Sequence, residues 1–397
     1  MTNIEQLIQT LCPNGVPWKT IRETVGVNRG RRLTKSQLCE EGEYKVYHGS
    51  KDTPLGNYTE SNAPGDTIII VNTGGIGGVK YLDKDFWCSD GSFWLGHSDL
   101  INNKFLYYYL SRYEDYFESQ KRVGGVPTID RNIVESFFIP LPPLEIQKKI
   151  VECLDKFSAL AAELQAELQM RRKQYEYYRT RLLTPHSESD STDNTDDATS
   201  SSWQWKTLGE IGTFKYGFTD KAKDKGTARY IRITDIDKNG CLSQEAKYID
   251  VTPDNNEYIL QKGDILMART GATYGKTLYY NEDYVSIYAS FLIKISLDSA
   301  LVIPKYYWHF AQSQLYWEQA NKLVGGGAQP QFNAGAVSQI RITLPSLSEQ
   351  ARIVAILDKF EALTTSLSDG IPAEQIAQQR RYEYYRDKLL SFPGKPE

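Results

Sequence analysis

The 397-residue sequence is short of several things, and each shortage removes a class of function. No apolar run approaches the about 18 residues that a bilayer crossing needs, and Met1-Thr-Asn-Ile-Glu5 carries no secretory apolar segment. The five cysteines (Cys12, Cys39, Cys88, Cys153, Cys241) are scattered with no Cys-x-x-Cys, which predicts reduced thiols in a cytoplasmic chain. Only four histidines are present, none at metal-ligand spacing, so neither a metal nor a cofactor is expected in this chain. There is no Gly-x-Ser-x-Gly elbow, no paired-carboxylate constellation and no Asp/Asn-Pro-Pro-Tyr/Phe motif of amino-methyltransferases. One near miss stands out: Gly271-Ala-Thr-Tyr-Gly-Lys-Thr277 is one residue short of a phosphate loop, and Leu278-Tyr-Tyr-Asn281 does not read as the helix such a loop needs. Gly74-Gly-Ile-Gly-Gly78 lacks dinucleotide spacing and reads as a strand-to-loop turn. The expectation is a chain without catalysis of its own.

What is present is duplication. Leu154-Asp-Lys-Phe157 and Tyr175-Glu-Tyr-Tyr-Arg179 return in the same order as Leu357-Asp-Lys-Phe360 and Tyr382-Glu-Tyr-Tyr-Arg386. In the first copy Ile150, Leu154, Phe157, Ala161, Leu164, Leu168, Arg171, Tyr175, Tyr178 and Leu182 alternate steps of four and three, a coiled-coil seam. With no Gly or Pro between Leu144 and Leu183, about 40 residues of helix would span roughly 60 Å. The second copy repeats the seam with Ile353, Leu357, Phe360, Thr364 and Leu367, then meets Gly370-Ile371-Pro372, which predicts a break or kink. The expected inter-helix contacts are Leu154, Phe157, Leu164, Leu168, Tyr175, Tyr178, Leu357, Phe360, Leu367, Tyr382 and Tyr385. Core helices of one globular domain are the plainer alternative to a two-helix antiparallel stalk.

The blocks ahead of the helices are also related. Trp18-Lys-Thr-Ile-Arg-Glu23 matches Trp205-Lys-Thr-Leu-Gly-Glu210, the strand after Gly65-Asp66 matches Lys262-Gly-Asp-Ile-Leu-Met267, and Lys104 to Tyr109 matches Lys305 to Phe310. In the glycine loop Lys121-Arg-Val-Gly-Gly-Val-Pro127, the part from Val123 to Pro127 matches Val324-Gly-Gly-Gly-Ala-Gln-Pro330. The expected segments are a first block at 1–141, a helix at 142–183, a flexible linker at 184–202, a second block at 203–344, a helix at 345–391 and a tail at 392–397. The linker holds Glu188, Asp190, Asp193, Asp196 and Asp197 and no Lys or Arg. Removing those five charges from the net −4 leaves the remainder at +1. Any nucleic-acid contact must therefore come from local patches or from partner subunits.

Arg and Lys pair with guanine O6/N7, Asn and Gln with adenine N6/N7, and glycine loops let backbone approach phosphate. The candidates of that chemistry are Arg29, Arg31, Arg32, Lys51, Asn72, Lys121 and Arg122 in the first block. In the second they are Lys221, Lys223, Lys225, Arg232, Arg269, Lys276, Lys322, Gln329 and Gln331. For each of them alone, a solvated surface is the competing reading.

The duplicated helix motifs, each preceded by a Pro-rich stop and a glycine loop, resemble the specificity subunit of type I restriction-modification enzymes over the whole chain. The resemblance implies an α+β chain with two tandem target-recognition domains of mixed structure, separated by two long antiparallel helices with an internal pseudo-two-fold repeat. It implies that each domain reads one half of a bipartite, asymmetric site on double-stranded DNA. It also implies two methyltransferase subunits, which carry S-adenosylmethionine and modify adenine N6, and two ATP- and Mg-dependent motor and nuclease subunits. In such chains a short helical repeat sets the spacer between half-sites, and here Ala162-Glu-Leu-Gln165 is followed at once by Ala166-Glu-Leu-Gln169. A heptad-compatible Ala/Glu/Leu stretch is the other reading of that repeat. A tandem scaffold binding something other than DNA is the alternative for the whole chain.

Overall fold

The computed structural model describes residues 2–122, 124–185, 203–325, 331–366 and 370–394. The expected linker from residue 186 onward, Gln329, Leu367 and the last three residues of the tail lie outside the described residues. Five helices frame the fold: α1 (Asn103–Leu110), α2 (Leu144–Leu182), α3 (Pro304–Ala311), α4 (Leu347–Thr365) and α5 (Ile371–Leu389). The uninterrupted helix expected after the first block is α2, 39 residues long. The expected break at Gly370-Ile371-Pro372 separates α4 from α5, with Pro372 in the first turn of α5, where a missing N–H costs nothing.

The chain divides into two compact units, Met1–Glu163 with Gln375–Glu397, and Leu164–Glu374. Each contains one block, the beginning of the helix that follows it, and the end of the helix from the other copy. The first unit holds β1 (Trp18–Thr20), β2 (Val27–Arg29), β3 (Tyr44–Tyr47), β4 (Gly56–Tyr58), β5 (Thr67–Val71), β6 (Val79–Leu82), β7 (Trp87–Cys88), β8 (Ser92–Leu95) and β9 (Phe138–Pro140). They form an antiparallel sheet ordered β2-β8-β5-β6, a small sheet β4-β3-β7 with β3 and β7 parallel, and the pair β1-β9. Thr67-Ile-Ile-Ile-Val71 is β-branched throughout and buried on both faces, which suits the interior place of β5.

The second unit repeats this plan with β10 (Gln204–Thr207), β11 (Gly212–Tyr216), β12 (Ala228–Ile231), β13 (Tyr248–Ile249), β14 (Ile265–Ala268), β15 (Thr277–Tyr279), β16 (Ser286–Tyr288), β17 (Leu292–Leu297) and β18 (Arg341–Leu344). The sheets are β11-β17-β14-β15, β13-β12-β16 with β12 and β16 parallel, and β10-β18. Even the local caps recur. Thr20 with Glu23 and Thr207 with Glu210 form the same capping box, whose backbone and hydroxyl donors hold both carboxyls below the usual range.

The helices are built into these blocks by three repeated contacts. A buried glutamine at the start of each long helix closes the first: Gln147 Oε1 accepts from Asn102 N at 2.7 Å while its amide donates to Leu100 O and Pro142 O. Gln350 does the same with Ile303 N (2.9 Å), Leu301 O and Pro345 O. The aspartate of Leu-Asp-Lys-Phe makes the second. Asp155 receives Lys104 at 2.8 Å and the Tyr108 hydroxyl at 2.7 Å from α1, and Asp358 receives His309 Nε2 at 2.6 Å from α3. With Nε2–H spent on Asp358, His309 Nδ1 accepts from the Tyr175 hydroxyl, 3.2 Å away.

The third contact explains why the two motifs travel together. In the first unit the Phe157 ring lies 6.4 Å from Tyr382 and 5.6 Å from Tyr385. In the second, Phe360 stacks on Tyr175 at 6.1 Å and on Tyr178 at 5.5 Å. The Phe of one copy therefore meets the first and last tyrosines of the other copy's Tyr-Glu-Tyr-Tyr-Arg, the pairing order of antiparallel helices. Leu154 enters the first unit's core with Leu389 and Leu390, and Leu357 enters the second's with Tyr175 and Leu183. Leu164 and Leu168 are buried as expected, whereas the seam position Ala161 is exposed and Arg179, beside the seam, is buried over the Tyr175 ring.

Two outcomes follow from these joints. Gln350→Leu strips partners from Ile303 N, Leu301 O and Pro345 O, so stability should fall by about 3 kcal/mol in a denaturant titration; an unchanged midpoint would show that the clamp is dispensable. The second concerns pH. Burial lowers the His309 imidazole from its ordinary value of 6.5, although Asp358 favours the charged form. The unfolded chain then binds more protons than the folded one below about 6.5, so stability declines as pH drops through that value and levels off below the folded one. The unfolding midpoint should decrease between about pH 7.5 and about 5.5, and His309→Gln should make that slope shallower. An equal slope in the variant rules His309 out as its source.

Candidate nucleic-acid interface

The two recognition blocks are equivalent residue by residue at one end of their main sheets. Gly30 N donates to Ser92 O and Gly217 N to Leu292 O, while Arg31 N donates to Cys88 O and Phe218 N to Tyr288 O. A Cβ on Gly30 would sit 2.0 Å from Ser89 O, and one on Gly217 would sit 2.3 Å from Ala289 O, so both turns require glycine for a close backbone approach. Arg29-Gly30-Arg31 in the first unit thus occupies the place of Tyr216-Gly217-Phe218 in the second. The frame is shared and the side chains it displays are not.

The ends of the central strands match in the same way. Asn72 N donates to Gly91 O and Asn72 O accepts from Ile129 N. Arg269 N donates to Phe291 O and Arg269 O accepts from Phe332 N. The glycine loops close against these strand ends by paired bridges, Thr73–Thr128 with Arg122–Thr128, and Thr270–Gln331 with Gly325–Gln331. Asn72, Arg122 and the Arg29 turn in one unit, and Arg269, Gln331 and the Tyr216 turn in the other, therefore hang from one framework of strand end and glycine loop.

The sequence-chosen cations fall into two groups. Several are engaged by acids: Lys51 with Glu114, Lys121 with Glu118 at 3.1 Å, Arg122 with Asp130, Lys223 with Asp250 at 2.8 Å and Arg232 with Asp235 at 2.7 Å. Asn72 is buried, with its Oδ1 unpartnered among the described residues. Arg29, Arg31, Arg32, Lys221, Lys225 and Lys322 are exposed, Lys276 is half-buried, and among the described residues none of these side chains forms an ion pair. Arg29 and Arg31 border an open pocket of about 430 Å³ together with Asn28, Asn62, Trp87 and Trp94. In the second unit Arg269 Nε donates to Ser290 O at 3.1 Å, and its guanidinium lies 5.0 Å from the Tyr216 ring and 5.5 Å from that of Phe291.

Other chemistry-like groupings resolve into structure. The Gly271–Thr277 segment is a short 3-10 turn that passes into strand β15, with no helix to receive a phosphate. His309, Asp358 and Glu361 bring ligand atoms within 4.8 Å of one another, but Lys305 Nζ already sits 3.2 Å from Glu361 and 3.7 Å from Asp358, and His309 Nε2 is bonded to Asp358, so these groups already partner one another. His48 faces Ser89 Oγ at 3.2 Å and Asp90 at 3.3 Å through the same Nδ1, whereas a catalytic relay needs one partner on each nitrogen. Among the described residues no helix is long and apolar enough to cross a membrane.

Sequence reasoning passed over Tyr216 and Phe291, which stand where the first unit has Arg29 and Gly91. Registering Gly30 on Gly217 would have found Tyr216; nothing local marks Phe291, since its place is fixed only by strand pairing.

Comparison with known proteins accords with this duplicated geometry. The family model for the type I restriction modification DNA specificity domain matches twice, over residues 15–170 and 200–375. A putative type I restriction enzyme specificity subunit from Haemophilus influenzae is 30% identical, with 98% of each chain covered. The specificity subunit of the type I restriction enzyme EcoR124I/EcoR124II from Escherichia coli is 32% identical over 86% of this chain and 83% of its own. The crystal structure of a type I restriction-modification system S subunit from M. genitalium superposes with a TM-score of 0.59 at 19% identity, covering 96% of this chain and 98% of that one, and so speaks to the fold alone. Twice-matched by the same domain model, and with two recognition domains on one repeated plan, the chain belongs to the type I restriction-modification specificity subunits.

Proposed function

We propose that this chain is the DNA-reading scaffold of a type I complex, with the block at 1–141 reading one half of a bipartite, asymmetric site and the block at 203–344 the other. The observation that carries this reading is the pair of superimposable turns, Arg29-Gly-Arg31 and Tyr216-Gly-Phe218, which present different side chains on one backbone frame. A duplicated enzyme site would repeat its reactive groups; a duplicated reader repeats its frame and changes what it displays. The exposed Arg29, Arg31, Arg32, Lys221, Lys225, Lys322 and Gln331, with the half-buried Lys276, supply phosphate and base contacts. Lys51, Lys121, Arg122, Lys223 and Arg232 reach DNA by exchanging a carboxylate for a phosphate.

In this reading the chain has no chemistry of its own. Two methyltransferase subunits, carrying S-adenosylmethionine, modify adenine N6, and two motor subunits use ATP and Mg for cleavage. With the chain near neutral outside its acidic segment, tight and salt-dependent binding requires those partners. The division between the two units falls at Glu163/Leu164, inside the tandem Ala-Glu-Leu-Gln repeat of α2. As the family resemblance implies, each repeat unit corresponds to one base pair of spacer; the rotation agrees, since four residues of helix turn about 40° beyond a full rotation and one base pair turns about 35°.

Co-expression with a cognate methyltransferase subunit in an unmethylated host, followed by genome-wide mapping of modified adenines, should give a single bipartite motif. Stable co-purification with no motif-specific modification would leave the non-DNA scaffold as the better account. Deleting residues 166–169 should then shorten the spacer by about one base pair with both half-sites intact. A variant that keeps the original spacer would show that the repeat is only helix.

A further inference from the structure

Resting on the DNA-reading proposal, we infer that Arg269 is the specificity-determining residue of the second recognition domain and that it reads a guanine through the edge exposed in the major groove. Its guanidinium is held in place before any ligand arrives. Nε donates to Ser290 O at 3.1 Å, and the planar group lies against the rings of Tyr216 and Phe291. The Tyr216 hydroxyl is in turn fixed by Ala334 N at 3.2 Å, and the Arg269 carbonyl by Phe332 N at 2.8 Å. Among the described residues no carboxylate pairs with Arg269, and neither terminal Nη has a hydrogen-bond acceptor. Tyr216 and Phe291 are 42% and 51% exposed, so among the described residues the group sits at an open surface.

A fork with its inner nitrogen tethered and its outer pair unspent matches the two adjacent acceptors of guanine, O6 and N7. Pre-organisation against two rings removes most of the rotamer entropy an arginine ordinarily loses on binding. Phosphate could take the same fork, but position in the duplicated frame argues against it. A backbone phosphate is the same at every site, so its contact would be kept in both copies. The residue at the matching place in the first unit is Asn72, buried and without any such stack. Both supporting rings change with it, Tyr216 standing for Arg29 and Phe291 for Gly91. A residue that differs together with its supports, on a frame that does not, is placed to discriminate.

The test uses the full chain with its methyltransferase subunit and the adenine map of the unaltered protein as reference. Arg269→Lys keeps the charge but loses the fork, and Arg269→Gln keeps a polar stem; thermal melts of both confirm folding. Preference for guanine should drop roughly 5- to 150-fold at one position of one half-site in Arg269→Gln, and by less in Arg269→Lys, because lysine also donates to O6 and N7, with the other half unchanged. Uniformly weaker methylation with an unaltered motif, restored by lysine, would reassign Arg269 to phosphate and overturn the inference while leaving the DNA-reading proposal intact. A motif with no guanine in either half, or changes in both halves, also overturns it. Should the unaltered chain yield no motif, the proposal beneath it falls, and this one with it.

Discussion

Each recognition domain is fastened to its helices by a buried polar joint, and the rest of the architecture depends on that joint. A fully buried glutamine satisfies one backbone N–H and two carbonyls at the point where the chain enters the long helix, in both copies. Apolar packing alone, through Ile150 and Leu154 or Ile353 and Leu357, would hold helix to block without dictating one register. Glutamine adds direction, because a displaced helix would leave three buried backbone groups and the amide itself unpaired. Such register fixes each block on its own helix, which apolar burial alone would not do.

Exchange of motifs between copies follows from the same logic. Phe157 finds its tyrosines 225 and 228 residues away, at Tyr382 and Tyr385, and Phe360 finds its own at Tyr175 and Tyr178. Neither half of the duplication completes its own unit, since each requires a helix end from the other. That is why Leu-Asp-Lys-Phe and Tyr-Glu-Tyr-Tyr-Arg are repeated almost letter for letter while the blocks between them drift. The joints tolerate some exchange even so: Tyr108 and His309 fill the same role against Asp155 and Asp358, one with a hydroxyl and the other with an imidazole.

Legibility in the sequence tracked the range of the interactions. The 39-residue helix, its heptad, the β-branched central strand and the break before Pro372 all rest on contacts a few residues apart, and they were readable. So was the family, because its motifs are contiguous. The glutamine joint was not, for Gln147 and Gln350 look like ordinary polar residues in a first helical turn until the 100–102 and 301–303 segments are folded onto them. Nor were the acid partners of Lys223 and Lys51, which lie 27 and 63 residues away. A basic residue in a sequence advertises charge; only the fold shows whether that charge is already spent.

The arms and the blocks diverge in opposite senses, and this bears on what the duplication is for. Where the helices contact their blocks the copies are nearly identical, yet along their lengths they part company: α2 runs unbroken through a tandem tetrapeptide, while α4 and α5 are separate helices. In the blocks the sheet order is the same strand for strand, yet the turn at Gly30 or Gly217 and the strand end at Asn72 or Arg269 carry different chemistry. Variation thus appears in the helix that carries the tandem tetrapeptide and in the side chains that the shared turns and strand ends display. The buried glutamine and the Phe–Tyr contacts recur in both copies and hold each helix in register on its block. One chain thus carries two copies of one backbone plan whose displayed side chains differ.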